Sequence, residues 1–179
     1  MKVSWSHCVL KVRDMEAMIS FYSDTLGFVV ADRGPLPGPE NPEIVFLSGS
    51  SSDHHQLALV ASRGEEDATS LDHNAFRVES IGDVKTMIER VTKDPRVKAA
   101  LPLTHGNAVS VYFADPEGNG IEVFCDTPWH VKQPAGQGWD PSMSDEEVLA
   151  DVRAKFENDS EFRPIEEYQA MKAKEFGEV

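Results

Sequence analysis

The feature that most constrains the fold of this chain is an internal repeat of one supersecondary pattern. His7 lies in an alternating apolar stretch, seven residues before the helix-capping residue Asp14. His73 lies in a second such stretch, seven residues before Ser80, which precedes another apolar helical pattern. Three strand-like stretches follow each helical pattern. The order strand, helix, three strands therefore occurs twice, with an offset of 66 residues.

This repeat predicts an α+β fold for most of the chain. Neither copy has enough apolar residues for a core of its own, so we expect two βαβββ modules, at about 1–68 and 69–128, to form one domain over residues 1–128. The composition changes after residue 128. Residues 129–179 are predicted to form a Pro- and Gly-rich strap and a helical tail, whose first helix begins at a capping box that starts with Ser144.

The clearest hairpin joins the last two strands of the second module. Its turn reads Asp-Pro-Glu-Gly-Asn-Gly over residues 115–120 and connects strands predicted at 108–114 and 121–125, after an earlier strand predicted at 97–101. Glu122 interrupts the second apolar run, and a buried carboxylate needs a cation or hydrogen-bond donors. Two interpretations stay open at this point. Glu122 either faces outward on an alternating strand, or it is buried against a partner.

Composition narrows the classes of function. Of 179 residues, 40% are hydrophobic and 27% are charged, as in a soluble globular protein. The net charge of −14 argues against nucleic acids and anionic membranes as partners. We recognise neither a membrane-spanning apolar run nor a signal peptide, and expect a cytoplasmic protein. Cys8 and Cys125 have neither zinc-binding nor disulfide-framework spacing.

Three residues have the chemistry of metal ligands. The first strands of the two modules each carry a histidine, His7 and His73, and the last strand carries Glu122. Strand alternation allows these side chains to face a common site. Two imidazoles and one carboxylate with open positions are typical of non-heme Fe(II) oxygenases. A lone strand histidine is more commonly a hydrogen-bonded core residue, so the repeat-related placement of two histidines is what favours a metal.

These residues resemble the vicinal oxygen chelate superfamily, which includes glyoxalases and bleomycin resistance proteins. The resemblance rests on the doubled module and on three motifs, Ser6-His7-Cys8-Val9, Asp72-His73-Asn74-Ala75-Phe76 and Gly120-Ile121-Glu122-Val123. It covers about residues 3–126 and is strongest to type I extradiol ring-cleavage dioxygenases in a small, two-module form. It implies a single vicinal oxygen chelate domain in which His7, His73 and Glu122 ligate Fe(II), with Mn(II) as the alternative ion.

The same resemblance implies three further site residues. His55 begins an HxxAL-like motif and matches the acid/base and oxygen-stabilising histidine of these dioxygenases. Tyr112 stands ten residues before Glu122 and matches the tyrosine that positions and deprotonates the substrate. His105 resembles the histidine that supports this tyrosine or binds substrate. A regular strand would point His55 and Ala58 to opposite faces, so His55 is expected at the lip of its strand, before regular pairing begins.

The implied activity is cleavage of a catechol-type ring beside its diol, with both atoms of O2 incorporated. The expected partners are a small aromatic diol and O2, and we expect a homo-oligomer. Two alternatives stay open: another superfamily enzyme, of the glyoxalase, epimerase or antibiotic-modifying kind, and a metal-free binding module. Glyoxalase I needs a glutamate ligand near position 58, and Ala58 cannot ligate a metal, which weakens the isomerase interpretation.

Overall fold

The computed structural model describes residues 1 and 3–178. Its contacts divide the chain into two compact units, Met1–Asp72 with Asp115–Asn119, and His73–Ala114 with Gly120–Val179. Each unit combines helix and sheet, which confirms the predicted α+β class. In the part of the chain that is described, no helix is both long and apolar enough to span a membrane.

The first unit is a four-stranded sheet with one helix. Its elements are β1 (Cys8–Val12), α1 (Met15–Leu26), β2 (Val29–Pro35), β3 (Glu43–Ser48) and β4 (Leu57–Ala61). The sheet order is β1-β4-β3-β2, and β1 runs parallel to β4. Asp14 caps α1 by accepting a hydrogen bond from the Ala17 amide at 3.0 Å, and Gly27 ends the helix with φ of 75°. The predicted helix cap at Asp14 is therefore confirmed.

The second unit repeats this topology. Its first five elements are β5 (His73–Arg77), α2 (Ile81–Lys93), β6 (Leu101–Thr104), β7 (Ala108–Ala114) and β8 (Gly120–Asp126). They pair in the order β6-β7-β8-β5, with β5 parallel to β8, so each strand occupies the position of its counterpart in the first unit. Ser80 caps α2 through the Asp83 amide at 3.1 Å, as predicted. The repeat of βαβββ order is confirmed.

One strand of the second unit differs from its prediction. The strand expected at 97–101 lies at 101–104 instead. Asp94 Oδ1 accepts hydrogen bonds from the Arg96 backbone amide and guanidinium, both at 2.9 Å, and the Val97 amide donates to the Asp94 carbonyl at 3.0 Å. The Arg96 and Val97 amides therefore donate within this turn and are not available for hydrogen bonds to a neighbouring strand. Pairing with β7 begins only at Leu101.

The turn between β7 and β8 belongs to the first unit. The buried Asp115 carboxylate accepts a hydrogen bond from the Tyr22 hydroxyl at 3.1 Å. Burial raises the pKa of Asp115, and burial together with the Asp115 charge raises the pKa of Tyr22 well above its usual value. Glu117 accepts from the backbone amides of Arg13 and Asp14 at 2.6 and 2.9 Å. Glu117 therefore stabilises the region where α1 begins, and Asp115 holds the Tyr22 side chain further along the helix.

The C-terminal segment belongs to the second unit. Its elements are β9 (Trp129–His130), β10 (Gln137–Gly138), α3 (Asp145–Phe156), β11 (Arg163–Pro164) and α4 (Ile165–Phe176). β10 pairs with β6, and the buried Trp139 donates from Nε1 to the Ser110 carbonyl at 2.9 Å. The capping box at Ser144 is confirmed, and α3 buries Val148, Val152 and Phe156. The domain limits 1–128 and 129–179 stay a prediction.

Candidate active site

One face of the second sheet carries the functional side chains of that unit. The register pairs Tyr112 on β7 and Ala75 on β5 with Glu122 on β8, so all three side chains share a face. His73, two residues before Ala75, points to the same side. The opposite face contains apolar residues such as Val111 and packs against α2, which buries its own stripe. The core therefore lies behind the sheet and the polar groups lie in front of it.

Glu122 is buried, with 8% of its surface exposed. The fully buried Ser110 hydroxyl donates to its Oε1 at 2.6 Å. Its other oxygen, Oε2, lies 3.4 Å from Nε2 of His73. The interpretation in which Glu122 faces solvent is therefore wrong, and the desolvation of its carboxylate is offset by a hydroxyl donor and a neighbouring imidazole.

His105 and Tyr112 form a hydrogen-bonded pair beside this carboxylate. Nε2 of His105 lies 2.8 Å from the Tyr112 hydroxyl and 3.9 Å from Glu122 Oε1. Nδ1 of His105 lies 2.5 Å from the carbonyl oxygen of Ala135, in the segment between β9 and β10. A carbonyl only accepts, so Nδ1 carries the proton, and in the neutral ring Nε2 accepts from the Tyr112 hydroxyl.

A cavity of about 290 Å³ opens in front of these residues. Its lining combines polar and apolar side chains: His105, Asn107, Ala108, Tyr112, Glu122, Phe124 and Gln133. This volume is at the small end of the range for ligand pockets, about 300–1,000 Å³. The cavity has room for a small molecule, to which its lining offers the polar groups of Tyr112 and Glu122 and the apolar ring of Phe124.

In the first unit, His7 and His55 meet at one end of the parallel pair β1 and β4. Cys8 pairs with Leu57, so His7 stands one residue before this first pair and His55 two residues before it. Their ring centroids are 4.3 Å apart, and the Phe46 ring lies 4.8 Å from that of His55. The expected position of His55 at the lip of its strand is confirmed.

The surroundings of His55 affect its protonation. Burial lowers the pKa of His55, and the neighbouring His7 and His54 lower it further by charge repulsion. The ring is therefore mainly neutral at pH 7. Ser6 Oγ lies 3.1 Å from Nδ1 of His7, which makes Nε2 the nitrogen of His7 that suits a metal ion.

The predicted site residues fall into two groups, one in each unit. His73, His105, Tyr112 and Glu122 lie together in the second unit, while His7 and His55 lie together in the first. Within the described residues, no group of three or more His, Cys, Asp or Glu side chains is arranged so that it could hold a metal ion. That His7 joins His73 and Glu122 around one ion stays a prediction.

The two predicted ligands in the second unit, His73 and Glu122, lie at a separation that suits one divalent ion. Two donors that each stand about 2.1 Å from one ion, at an angle of about 90–110°, lie about 3.0–3.4 Å apart. The observed separation between His73 Nε2 and Glu122 Oε2 is 3.4 Å. Ser110 occupies Oε1, so Oε2 is the oxygen that faces His73 and would ligate the ion.

Sequence reasoning missed two residues that orient this group, Ser110 and Ala135. Ser110 lies two residues before Tyr112 on β7 and therefore on the same face, a signal that strand alternation offered. Ala135 acts through its backbone carbonyl, for which side-chain patterns carry no signal.

Comparison with known proteins gives a family match over most of the chain. The model of the Glyoxalase/Bleomycin resistance protein/Dioxygenase superfamily matches residues 4–123. Biphenyl-2,3-diol 1,2-dioxygenase 3 of Rhodococcus globerulus is 32% identical over 127 residues, which are 68% of this chain. The match spans 62% of the length of that dioxygenase.

The chain is also similar to proteins whose names describe other activities. A probable lactoylglutathione lyase of Synechocystis is 25% identical over 124 residues, 65% of this chain and 91% of the lyase. The crystal structure of the fosfomycin resistance protein FosX from Listeria monocytogenes, complexed with Mn(II) and sulfate, superposes with a TM-score of 0.54 at 19% identity, over 71% of this chain and 95% of that one. At this identity the FosX likeness concerns the fold alone.

Proposed function

This chain belongs to the Glyoxalase/Bleomycin resistance protein/Dioxygenase superfamily, and within it we propose an extradiol dioxygenase that cleaves a catechol-type ring beside its diol with O2. The observation that carries the proposal is the group on one sheet face: buried Glu122 beside His73, and the His105–Tyr112 pair next to them. Similarity to a dioxygenase named for biphenyl-2,3-diol supports the same substrate class.

His7, His73 and Glu122 are the residues that would hold Fe(II), or Mn(II) in its place. The 3.4 Å separation of His73 Nε2 and Glu122 Oε2 suits two neighbouring ligands, and a set of two imidazoles and one carboxylate suits either ion. When bound, the ion supplies Lewis acidity that favours ionisation of a coordinated hydroxyl, and a common point of attachment for diol and O2.

Tyr112 and His105 would position the diol and move its proton. The Tyr112 hydroxyl, which donates to His105 Nε2 and lines the cavity, would accept a hydrogen bond from a diol hydroxyl bound there. As that hydroxyl loses its proton to Tyr112, the phenol proton passes to Nε2 of His105. The Ala135 carbonyl, 2.5 Å from Nδ1, stabilises the imidazolium so formed.

His55 would act as the acid/base group of the later steps. Its pKa is lowered by burial and by the neighbouring His7 and His54, so the ring is neutral at pH 7 and can accept a proton before returning it. The aromatic contact with Phe46 restricts the ring.

The test starts with protein purified anaerobically and reconstituted with Fe(II) or Mn(II). Catechol and biphenyl-2,3-diol are then added with air, and O2 uptake and the yellow ring-opened product are measured. We expect stoichiometric product from the wild type. Glu122→Gln should lose the bound metal and the activity, while Asp126→Asn, which alters an exposed carboxylate at the end of the same strand, should keep both.

Two outcomes would contradict this proposal in different ways. Bound iron without O2 uptake for any diol would favour another enzyme of the superfamily, such as the isomerase class of the lactoylglutathione lyase relative. Failure to bind any divalent ion would favour a metal-free binding module. The alanine at position 58, fully buried in β4, already weighs against the isomerase, because it supplies no ligand where glyoxalase I needs a glutamate.

A further inference from the structure

A chain of hydrogen bonds also lies in the first unit, in addition to the chain of Tyr112, His105 and Ala135 in the second. It runs from Asp32 on β2 through His54 to His55. Oδ2 of Asp32 lies 2.9 Å from Nε2 of His54, and Nδ1 of His54 lies 2.9 Å from Nδ1 of His55. The Phe46 ring contacts both imidazoles, with centroids at 5.7 and 4.8 Å. The two rings are therefore held in fixed relation to each other and to the carboxylate.

A β-bulge brings Asp32 to this position. Val30 pairs with Leu47, but the next pair is Asp32 with Phe46, so one residue of β2 is skipped. In a regular ladder Asp32 would pair with Val45, which is fully buried. Because partners share a face, the bulge turns the Asp32 carboxylate away from the Val45 face to the face of Phe46 and the two histidines.

The hydrogen-bond pattern determines which nitrogens carry protons. A carboxylate only accepts, so Nε2 of His54 carries a proton, and in the neutral ring Nδ1 of His54 is an acceptor. Nδ1 of His55 must then be the donor of the bond between the two rings. This leaves Nε2 of His55 without a proton, as the atom that can accept one.

We infer that Asp32 and His54 are positioning residues that hold His55 in the Nδ1–H tautomer, with Nε2 as its working base. This inference rests on the proposed function, because it assigns the atom through which His55 takes and returns its proton. The Asp32 carboxylate favours the form of His54 with the proton on Nε2, and through it the form of His55 with the proton on Nδ1. Both outer groups are solvent-exposed, 59% for His54 and 71% for Asp32, so water screens the carboxylate charge and its effect is moderate.

The first test is nitrogen NMR of the metal-free protein labelled with 15N-histidine, recorded at about pH 8.5, where histidine rings are neutral. The His55 signals are identified by their loss in His55→Gln. We expect the wild type to have the proton of His55 on Nδ1. Asp32→Ala and His54→Phe should move it wholly or partly to Nε2, while Glu40→Ala, which removes an exposed carboxylate elsewhere in this unit, should not.

The second test measures ring cleavage by the iron-loaded variants with catechol. His54→Phe keeps an aromatic ring against Phe46 and should lower kcat about tenfold with KM changed less than about twofold, because one solvent-accessible hydrogen bond is lost. Asp32→Ala should act in the same direction, and Asp32→Glu should restore part of the rate. Iron content and Tm should stay at wild-type values, which a merely structural role would change.

The outcomes separate this inference from the function on which it rests. An active wild type whose His55 carries its proton on Nε2 overturns the inference and leaves the dioxygenase proposal intact. Unchanged kcat in both His54→Phe and Asp32→Ala does the same. An iron-loaded wild type that cleaves no diol overturns the proposed function, and with it the catalytic role of the three residues, whatever the tautomer.

Discussion

Removing the hydroxyl of Ser110 gives the sharpest test of how the carboxylate of Glu122 is held. The hydroxyl is fully buried and donates to Oε1 at 2.6 Å, and Glu122 itself is 8% exposed. In Ser110→Ala one oxygen of a buried carboxylate loses its donor. Hydrogen bonds to charged groups contribute about 1.5–3 kcal/mol, so the free energy of unfolding of the metal-free protein should fall by about that amount. For a chain of this length the Tm should fall by about 3–12 °C.

The same variant should weaken metal binding. Ser110 holds Oε1, so that Oε2 faces His73 and is the oxygen proposed to ligate the ion. Loss of a partner that orients a ligand typically weakens metal affinity about 10–100-fold. The Kd for Mn(II), measured by titration calorimetry, should rise by this factor. This measurement needs neither substrate nor turnover.

A matched control removes a buried hydroxyl of another kind. Thr104 is fully buried, and its hydroxyl donates to the Ala108 carbonyl at 2.8 Å, at a neutral acceptor. Thr104→Val keeps the shape of the side chain. It should lower the free energy of unfolding, yet leave the Kd for Mn(II) at the wild-type value, since Thr104 does not orient a ligand.

A double-mutant cycle with Glu122→Gln isolates the charged interaction. In the Gln background Ser110 donates to a neutral oxygen, so Ser110→Ala should cost about 1 kcal/mol less than it does in the wild type. Urea unfolding measures all four proteins. The reasoning would be refuted if Ser110→Ala changed neither the free energy of unfolding nor the Mn(II) affinity, or if its cost were the same in both backgrounds.

Three further predictions concern Tyr112, two glycines and Cys125. Tyr112→Phe should lower kcat about 10²–10⁴-fold in steady-state kinetics, because it removes the hydroxyl proposed to move the diol proton. The bound iron, measured by metal analysis, should stay unchanged because Tyr112 is not one of the proposed ligands. Gly106→Ala should lower the Tm far more than Gly118→Ala, although the two glycines have similar φ angles of 81° and 83°. A Cβ at Gly106 would lie 2.4 Å from a Val131 methyl group, whereas a Cβ at Gly118 would have no atom within 4 Å. Burial raises the pKa of Cys125 to about 11, so its thiol should resist iodoacetamide at about pH 8 in the native protein and react on unfolding, as read by mass spectrometry.

Local signals in the sequence determined the order of elements and several of their ends. Asp14 and Ser80 cap their helices because a short polar side chain satisfies an amide at the first turn, whatever the rest of the chain does. Gly27 ends α1 in a backbone conformation that other residues adopt at a cost. The prediction of a strand at 97–101 is wrong because the Asp94 carboxylate binds the Arg96 backbone amide and forms a local turn in place of the strand.

The candidate site likewise has features that the sequence predicts and features that only the tertiary structure shows. From residue type and repeat-related spacing, the sequence by itself predicted a metal-ligand set of His7, His73 and Glu122. Its resemblance to extradiol dioxygenases added His55, His105 and Tyr112 as predictions. Tertiary structure alone decided that Glu122 is buried and held by Ser110, and that the Ala135 carbonyl orients His105. It also decided that a bulge turns Asp32 toward His54. The physical reason is that strand register and backbone hydrogen bonds join residues far apart in the chain, and a shift of one residue changes the face on which a side chain lies.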